Sequence, residues 1–425
     1  MLVLALAAVA RIVGLSKEIA IAAAFGTGPQ IDAFVIAFNL LSAPISIWFA
    51  AIFAVLVPAL TSLERRSPED ASQFRGEFLT VTLVAGGSMG LLFWGALHVY
   101  FASGTSGLDQ LSAEAALAAL PLLWPMVPLL FVAQYWATCL MARNRHGNTL
   151  FEGLPAFVVL VAVVVAPANI VTLALATLLG ILLQGLFTAV ATARANSFDR
   201  PRLPRKSTLR DGMGGFLLVM LFVQSLQTGV SVVDQVLAAK LPAGSLSGFQ
   251  YALRAQGIIT SMLALALPRV LLPALSARID AHPEEKRAFV VRWASLFAFI
   301  GILSATIASI FAEPIISLLF ERGSFQSSDT AMVADLFAIL MWQIPLYLLI
   351  ILFSQVFAVA QNYKSLALIA AVTLIVKIGI GTVLSQGYGL IGLTASVPLV
   401  AACQLLLLLI VGSWHTKRNG APRIS

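Results

Sequence analysis

Charge is scarce in this sequence. Only 11% of its 425 residues are charged and 60% are hydrophobic, where an ordinary soluble domain carries about 25% charged residues. A water-soluble globular fold is excluded. Cysteine is almost absent: Cys139 and Cys403 are the two, each inside an apolar run. With no CxxC spacing they read as small core residues, not as a disulfide or metal site. Histidine is equally thin, and His98, His146, His282 and His415 are too scattered to make a metal cluster. A Walker-type phosphate loop, HExxH, GxSxG and an aspartate-rich metal motif are all missing. The expectation is a protein that is not an enzyme and has no cofactor. Any work it does on a solute must draw on an ion gradient, the membrane potential or the solute's own gradient. Short alternating segments are lacking too, which excludes an outer-membrane barrel.

What the sequence has is long apolar runs. Twelve are long enough to be read as bilayer spans: 1–25, 31–62, 77–102, 114–141, 148–166, 170–193, 213–239, 246–276, 288–312, 327–359, 364–384 and 389–413. The net charge of +7 is carried in alternate connections. Arg65, Arg66 and Arg75 fall in one, Arg143 and Arg145 in the next, and Arg194, Arg200, Arg202, Arg205, Lys206 and Arg210 in the longest, 194–212. Arg278, Lys286 and Arg287, then Lys364, then Lys417, Arg418 and Arg423 continue the series. The intervening loops hold almost none. The positive-inside rule then places both termini in the cytoplasm and explains the basic excess without nucleic acid. Met1 opens directly in apolar sequence with no basic n-region, so a cleaved signal peptide is not expected. Either the true start lies upstream or the first helix begins at the membrane surface.

The chain also repeats itself. A shift of 215 residues lays Phe34-Val-Ile-Ala-Phe38 on Phe249-Gln-Tyr-Ala-Leu253 and Val57-Pro-Ala-Leu60 on Leu272-Pro-Ala-Leu275. A shift of 217 or 218 lays Pro128-Leu129 on Pro345-Leu346 and Ala142-Arg-Asn144 on Ala360-Gln-Asn362. Six spans match six, in one orientation because six is even. The expected architecture is therefore all-α, with about twelve transmembrane helices in two parallel six-helix bundles around a central cleft. The first bundle would be 1–193, the basic cytoplasmic linker 194–212, and the second bundle 213–425. Such a duplication suits an alternating-access transporter, in which one bundle rocks against the other, although some channels are duplicated as well. Pro44, Pro58, Pro125, Pro128, Pro268, Pro273 and Pro345 lie in or near spans, where each kinks its helix as a hinge or a packing bend.

Among the ionisable residues inside spans, Arg11, Lys17, Glu18, Asp234, Arg254 and Lys377 are singled out, with Asp32 at the outer mouth of the second span. A charge at bilayer depth costs at least a few kcal/mol and is normally retained for a partner, a wet cavity or a charged cargo. Arg11, Gly14 and Glu18 follow i, i+3, i+7 spacing and share one helix face, thinned by the glycine. Lys17 points about 100° away. Within this set four bases against two acids leave a positive excess, which attracts an anion; phosphate is the obvious class because arginine grips it in bidentate fashion. Plainer readings stand beside this one. Glu18 can pair with Lys17 or Arg11 simply to fix packing, Asp234 can pair with Lys240, and Lys377 can snorkel to the outer surface. Asn39 and the glutamines in spans, Gln256 and Gln343 among them, read as interhelical hydrogen bonds.

The run Arg11-Ile-Val-Gly-Leu-Ser-Lys-Glu18, then Phe25-Gly-Thr-Gly28 and Asp32-Ala-Phe-Val-Ile-Ala-Phe38, resembles the first two helices of the MurJ/MviN lipid II flippases. These belong to the multidrug, oligosaccharidyl-lipid and polysaccharide exporter superfamily. Val233-Asp234, Tyr251-Ala-Leu-Arg254, Leu272-Pro-Ala-Leu-Ser276, Leu319-Phe-Glu-Arg-Gly-Ser-Phe325 with Asp329-Thr330, Ala360-Gln-Asn362 and Gly389-Leu-Ile-Gly-Leu-Thr-Ala-Ser396 extend the resemblance over nearly the whole chain. It implies a protein of the bacterial inner membrane that flips an undecaprenyl-diphosphate-linked glycan outward. By motif position Arg11, Lys17 and Arg254 would hold the diphosphate. Glu18 and Asp32 would take the acidic positions, and Gly14, Asn39, Asp234 and Lys377 would serve the cavity, gating or coupling. The family's Arg-Asp is Lys17-Glu18 here, its paired basic residues in the second span are absent, and Leu253 and Gly257 replace acids flanking the arginine. The family usually has fourteen spans, and this sequence has twelve.

The leading expectation is thus a flippase with lipid II as its default cargo. An exporter of another lipid-linked oligosaccharide, a cation-coupled drug antiporter and a non-transporting scaffold are the competing expectations. The partners expected are the lipid-linked glycan, the bilayer and cell-envelope synthesis enzymes.

Overall fold

The computed structural model describes residues 2–143, 145–204, 213–276, 283–359 and 363–419. Asn144, Arg205, Lys206, Arg210, Arg278, Arg423 and the Ala360–Asn362 repeat segment lie outside the described residues. Every regular element among the described residues is a helix, as the continuous apolar runs require. In order they are α1 (Leu2–Phe25), α2 (Pro29–Arg66), α3 (Pro68–Ala102), α4 (Gln110–Leu123) and α5 (Met126–Ala142). After a 3-10 turn over His146–Gly153 come α6 (Leu154–Val165), α7 (Ile170–Arg194), α8 (Met213–Ala238) and α9 (Ser245–Ser276). The last are α10 (Pro283–Ile310), α11 (Ala312–Phe320), α12 (Ser327–Met341), α13 (Gln343–Val359) and α14 (Tyr363–Asn419).

Helix starts follow local chemistry. Pro29 and Pro68 open α2 and α3, where the missing N–H costs nothing. The side chains of Ser67, Asp109 and Asn169 accept from the backbone N–H groups of Asp70, Ser112 and Thr172, capping α3, α4 and α7. Gln326 and Asp329 form a reciprocal capping box at α12.

Seven of the described apolar segments are long enough to cross a bilayer, and α4 with α5, bent by 44° at a short break, would make an eighth. The longest, α14, is two limbs: Gly389 leaves helical geometry at φ 59°, ψ −137°. Lys377 Nζ lies 2.7 Å from Ser396 Oγ, whereas nineteen residues of straight helix would separate them by about 28 Å. The chain therefore reverses at Gly389.

By contacts the chain divides into two units. One comprises Met1–Thr228 with the short segments Pro242–Gly244 and Arg322–Phe325; the other comprises Gly229–Leu241, Ser245–Glu321 and Gln326–Ser425.

Each unit carries the same packing device. In the first, α4 gives way to α5 at Trp124–Pro125, and Pro128 one turn later lies against Gly86 of α3: a Cβ there would meet Pro128 Cα at 3.1 Å and Phe131 Cβ at 2.9 Å. In the second, α12 gives way to α13 at Trp342, and a Cβ on Gly301 of α10 would overlap Pro345. Helices in lipid gain stability by close packing of small residues, not by escape from water. Gly86→Ala is expected to cost about 1–3 kcal/mol through overpacking. Gly87→Ala, next door and with open space around its Cβ, should be neutral or stabilising by up to about 1 kcal/mol. Thermal unfolding midpoints of the two purified variants separate these outcomes.

Candidate functional site

The first polar cluster is built on α1 and the start of α2. Arg11 is exposed on α1, and Lys17 Nζ pairs with Glu18 Oε1 at 2.6 Å, with Glu18 buried at 8% exposure. A Cβ at Gly14 would meet nothing within 4 Å, so the face shared by Arg11 and Gly14 has room beside it. The side chain of Asn39, about three turns into α2, is half-buried.

At the other end of α1 the chain makes a tight turn and receives two short segments. Gly26 adopts φ +59°, and a Cβ there would stand 2.5 Å from the Ser324 carbonyl oxygen. Ser324 donates its backbone N–H to the Ala23 carbonyl at 2.7 Å and its hydroxyl to the Ala24 carbonyl at 3.2 Å. Gly323, at φ +61°, could carry no side chain without meeting the Ala23 carbonyl. Asp32, 3% exposed in the first turn of α2, accepts the backbone N–H of Gly244 at 2.6 Å. The sequence marked Asp32 and the glycine run of this turn, but nothing in the pattern pointed to a backbone amide as the acid's partner.

The second polar cluster lies in the other unit and corrects two expectations. Lys377 does not snorkel: its side chain is fully buried, its ammonium pairs with Asp234 Oδ1 of α8 and donates to Ser396 Oγ at 2.7 Å. Asp234 therefore pairs with Lys377 and not with Lys240, which is exposed. Gly381, one turn beyond Lys377, leaves the space: a Cβ there would press on Leu237 at 3.0 Å and approach Lys377 Cε at 3.8 Å. Burial outweighs snorkelling because a carboxylate and a hydroxyl wait inside, and an unpaired ammonium in low dielectric would cost far more. Arg254 is half-buried on α9 of the same unit. Gln256 donates to the Leu340 carbonyl at 2.8 Å and to Gln343 Oε1 at 2.9 Å, the interhelical role expected of it.

A third cluster went unseen in the sequence. Arg75, counted there among the loop charges, is 3% exposed inside α3. It donates from Nη1 to Glu64 at 2.8 Å and from Nε to Asp199 at 2.5 Å. Arg143 donates to the same Glu64 oxygen at 2.7 Å and to the carbonyls of Ala195 and Asn196. Tyr135 donates its hydroxyl to the Arg75 carbonyl at 2.6 Å. Two acids at the ends of basic loops, Glu64 and Asp199, were the available signal.

Among the described residues no group of His, Cys, Asp and Glu is arranged to hold a metal ion. The arrangement holds paired charge inside an apolar helical frame, as a polytopic membrane protein does. The fold is that of solved transporters: the chain superposes on a multidrug resistance MATE family transporter of the MOP superfamily, inward-facing, with TM-score 0.82 at 15% identity, covering 97% of this chain and 96% of that one. It superposes equally on the inward closed conformation of the lipid II flippase MurJ, with TM-score 0.82 at 18% identity, over 97% of this chain and 87% of the other.

The sequence decides between those neighbours. The family model described as Lipid II flippase MurJ matches residues 21–418, and this chain belongs to that family. Among its relatives, the lipid II flippase MurJ of Burkholderia cenocepacia is 28% identical over 432 aligned residues, 95% of this chain and 80% of that protein. The probable lipid II flippase MurJ of Vibrio cholerae is 24% identical, over 98% and 84% respectively.

Proposed function

We propose that this protein is a lipid II flippase of the bacterial inner membrane. It moves the undecaprenyl-diphosphate-linked glycan from the inner to the outer leaflet for peptidoglycan synthesis, by alternating access and without chemistry on the cargo. The observation that carries the reading is family membership across residues 21–418, joined to arginine retained in spans: Arg11 on α1 and Arg254 on α9. Arginine is suited to a diphosphate because its planar fork stays charged in low dielectric and binds two oxygens at once. Arg11 and Arg254 bind the diphosphate in this reading, and Lys17, already tied to Glu18, supplies a third positive group when that pair opens. Both termini and the 194–212 segment face the cytoplasm, from the distribution of lysine and arginine. Cell-envelope synthesis enzymes are the partners that deliver and consume such a cargo.

Growth rescue tests the proposal. The intact chain should sustain a strain depleted of its own lipid II flippase. Arg11→Ala and Arg254→Ala, each expressed at the normal level, should lose rescue, since each removes a charge-assisted contact of about 1.5–3 kcal/mol, a ten- to hundredfold weaker grip. Full rescue by both variants would sink the assignment of these arginines, and failure of the intact, well-expressed chain would sink the choice of cargo.

A further inference from the structure

The segment that follows α7 is not a slack connection. Asn196 takes φ 51°, the only non-glycine residue in the left-handed region among the described residues, and turns the chain so that Ser197 N–H donates to the Thr192 carbonyl at 3.0 Å. Arg143 holds the Ala195 and Asn196 carbonyls. Asp199 is taken by Arg75 and by the Ser72 hydroxyl at 2.5 Å. Arg202 donates its N–H to the Gly76 carbonyl at 3.0 Å, and its own carbonyl accepts from Thr80 Oγ1 at 2.7 Å. Gly76 is required there: a Cβ would come within 2.6 Å of the Arg200 carbonyl. Residues 195–203 are thus laid along the start of α3 as a fixed strap.

What the strap presents outward is unusual. Its one acid is turned inward onto Arg75, while Arg194, Arg200 and Arg202 are exposed. Phe198, between Arg194 and Arg200, is 52% exposed, and Leu203, directly after Arg202, 86%, with Phe198 in contact with the ring of Trp136 at 5.5 Å between centroids. Arg65 and Arg66, at the end of α2, are exposed as well. A soluble face would not hold two large apolar side chains in water on a segment whose backbone is already fixed. At the level where helices leave the bilayer the same alternation fits an interface, with apolar groups in the acyl boundary and guanidinium groups at the phosphates.

We infer that the 195–203 strap is a docking surface for anionic phospholipid headgroups of the cytoplasmic leaflet, gripped at the phosphate by Arg200 and Arg202 and seated by Phe198 and Leu203. This rests on the cytoplasmic placement of the segment in the proposed function, and it concerns resident lipid rather than cargo. Native mass spectrometry of the detergent-purified full chain tests it with three probes: phosphatidylglycerol, phosphatidylcholine and inorganic phosphate. Phosphatidylglycerol should bind in preference to phosphatidylcholine. The R200Q, R202Q double variant should bind it about thirtyfold more weakly, five- to sixfold for each arginine, while R65Q, R66Q changes less. The exchanged side chains are exposed, so the variant should elute and unfold like the parent. Equal binding of the two lipids, an unaffected double variant, or competition by free phosphate at the lipid's own concentration would each overturn the inference. So would loss of a co-purifying acidic protein in the double variant with lipid binding intact. Binding in detergent depends on neither orientation nor cargo, so it can fail while rescue succeeds, and the reverse. Labelling a cysteine placed at Leu203 with an impermeant maleimide reports the side separately: reaction in intact cells would overturn the cytoplasmic placement.

Discussion

Lys377→Met should be among the most damaging single changes in the chain, costing about 3–5 kcal/mol. The methionine fills a similar volume, so the loss comes from electrostatics and not from a cavity. Asp234, 7% exposed, would be left as a carboxylate with its ammonium gone, and Ser396 would lose the donor it now accepts from. Three stretches are joined at this point: α8 through Asp234, the first limb of α14 through Lys377, and the second limb through Ser396. Removing the charge should therefore lower the unfolding midpoint and loosen the reversal at Gly389. The Asp234→Asn, Lys377→Met double variant should recover most of the loss, because a buried ion pair replaced on both sides is often near neutral. A double variant as unstable as the single one would show that the pair acts through something other than its charge. Differential unfolding of the detergent-purified proteins gives both readings.

Arg75→Met is the second large effect, of about the same size. Arg75 neutralises Glu64 and Asp199 at once while 3% exposed, so its loss takes a partner from both acids. Arg143 still compensates Glu64, which leaves Asp199 as the group with the uncompensated charge. The expected result is a lower unfolding midpoint together with faster limited proteolysis between residues 195 and 204, as the strap comes off α3. Arg143→Met should have a smaller effect on the midpoint, since its side chain is 25% exposed and water can take over part of its role. Equal effects of the two substitutions would contradict the burial ranking.

How much of this was legible beforehand differs by feature. The helical class is plain, because lipid leaves a chain few options and every backbone group must be satisfied within its own segment. The equivalence of Pro128 and Pro345 was visible in sequence; that each lies against a glycine, Gly86 and Gly301, was not, since small residues abound in such chains and only packing selects the pair that matters. Lys17 with Glu18 was foreseeable from adjacency. For Lys377 the sequence leaves a cavity role and snorkelling side by side, because nearness to a helix end permits the second, whereas the determinant, an aspartate 143 positions earlier, is a tertiary fact. Arg75 failed for the opposite reason: the positive-inside pattern accounted for it so well that a buried role was not sought.

The attachments around the turn after α1 have a consequence for sequence change. Beside the Asp32 carboxylate, they include main-chain atoms and one serine hydroxyl: the Ala23 and Ala24 carbonyls, the N–H groups of Gly244 and Ser324, and Ser324 Oγ. Main chain is common to all residues, so the exposed Pro242 and Ala243 can drift among relatives without severing these bonds. Purifying selection should fall instead on Gly26, Gly244 and Gly323, whose φ values of +59°, +86° and +61° other residues rarely adopt, and on Asp32. A saturation library read by growth rescue would display that contrast directly, as three intolerant glycines and one intolerant acid against a permissive Pro242 and Ala243.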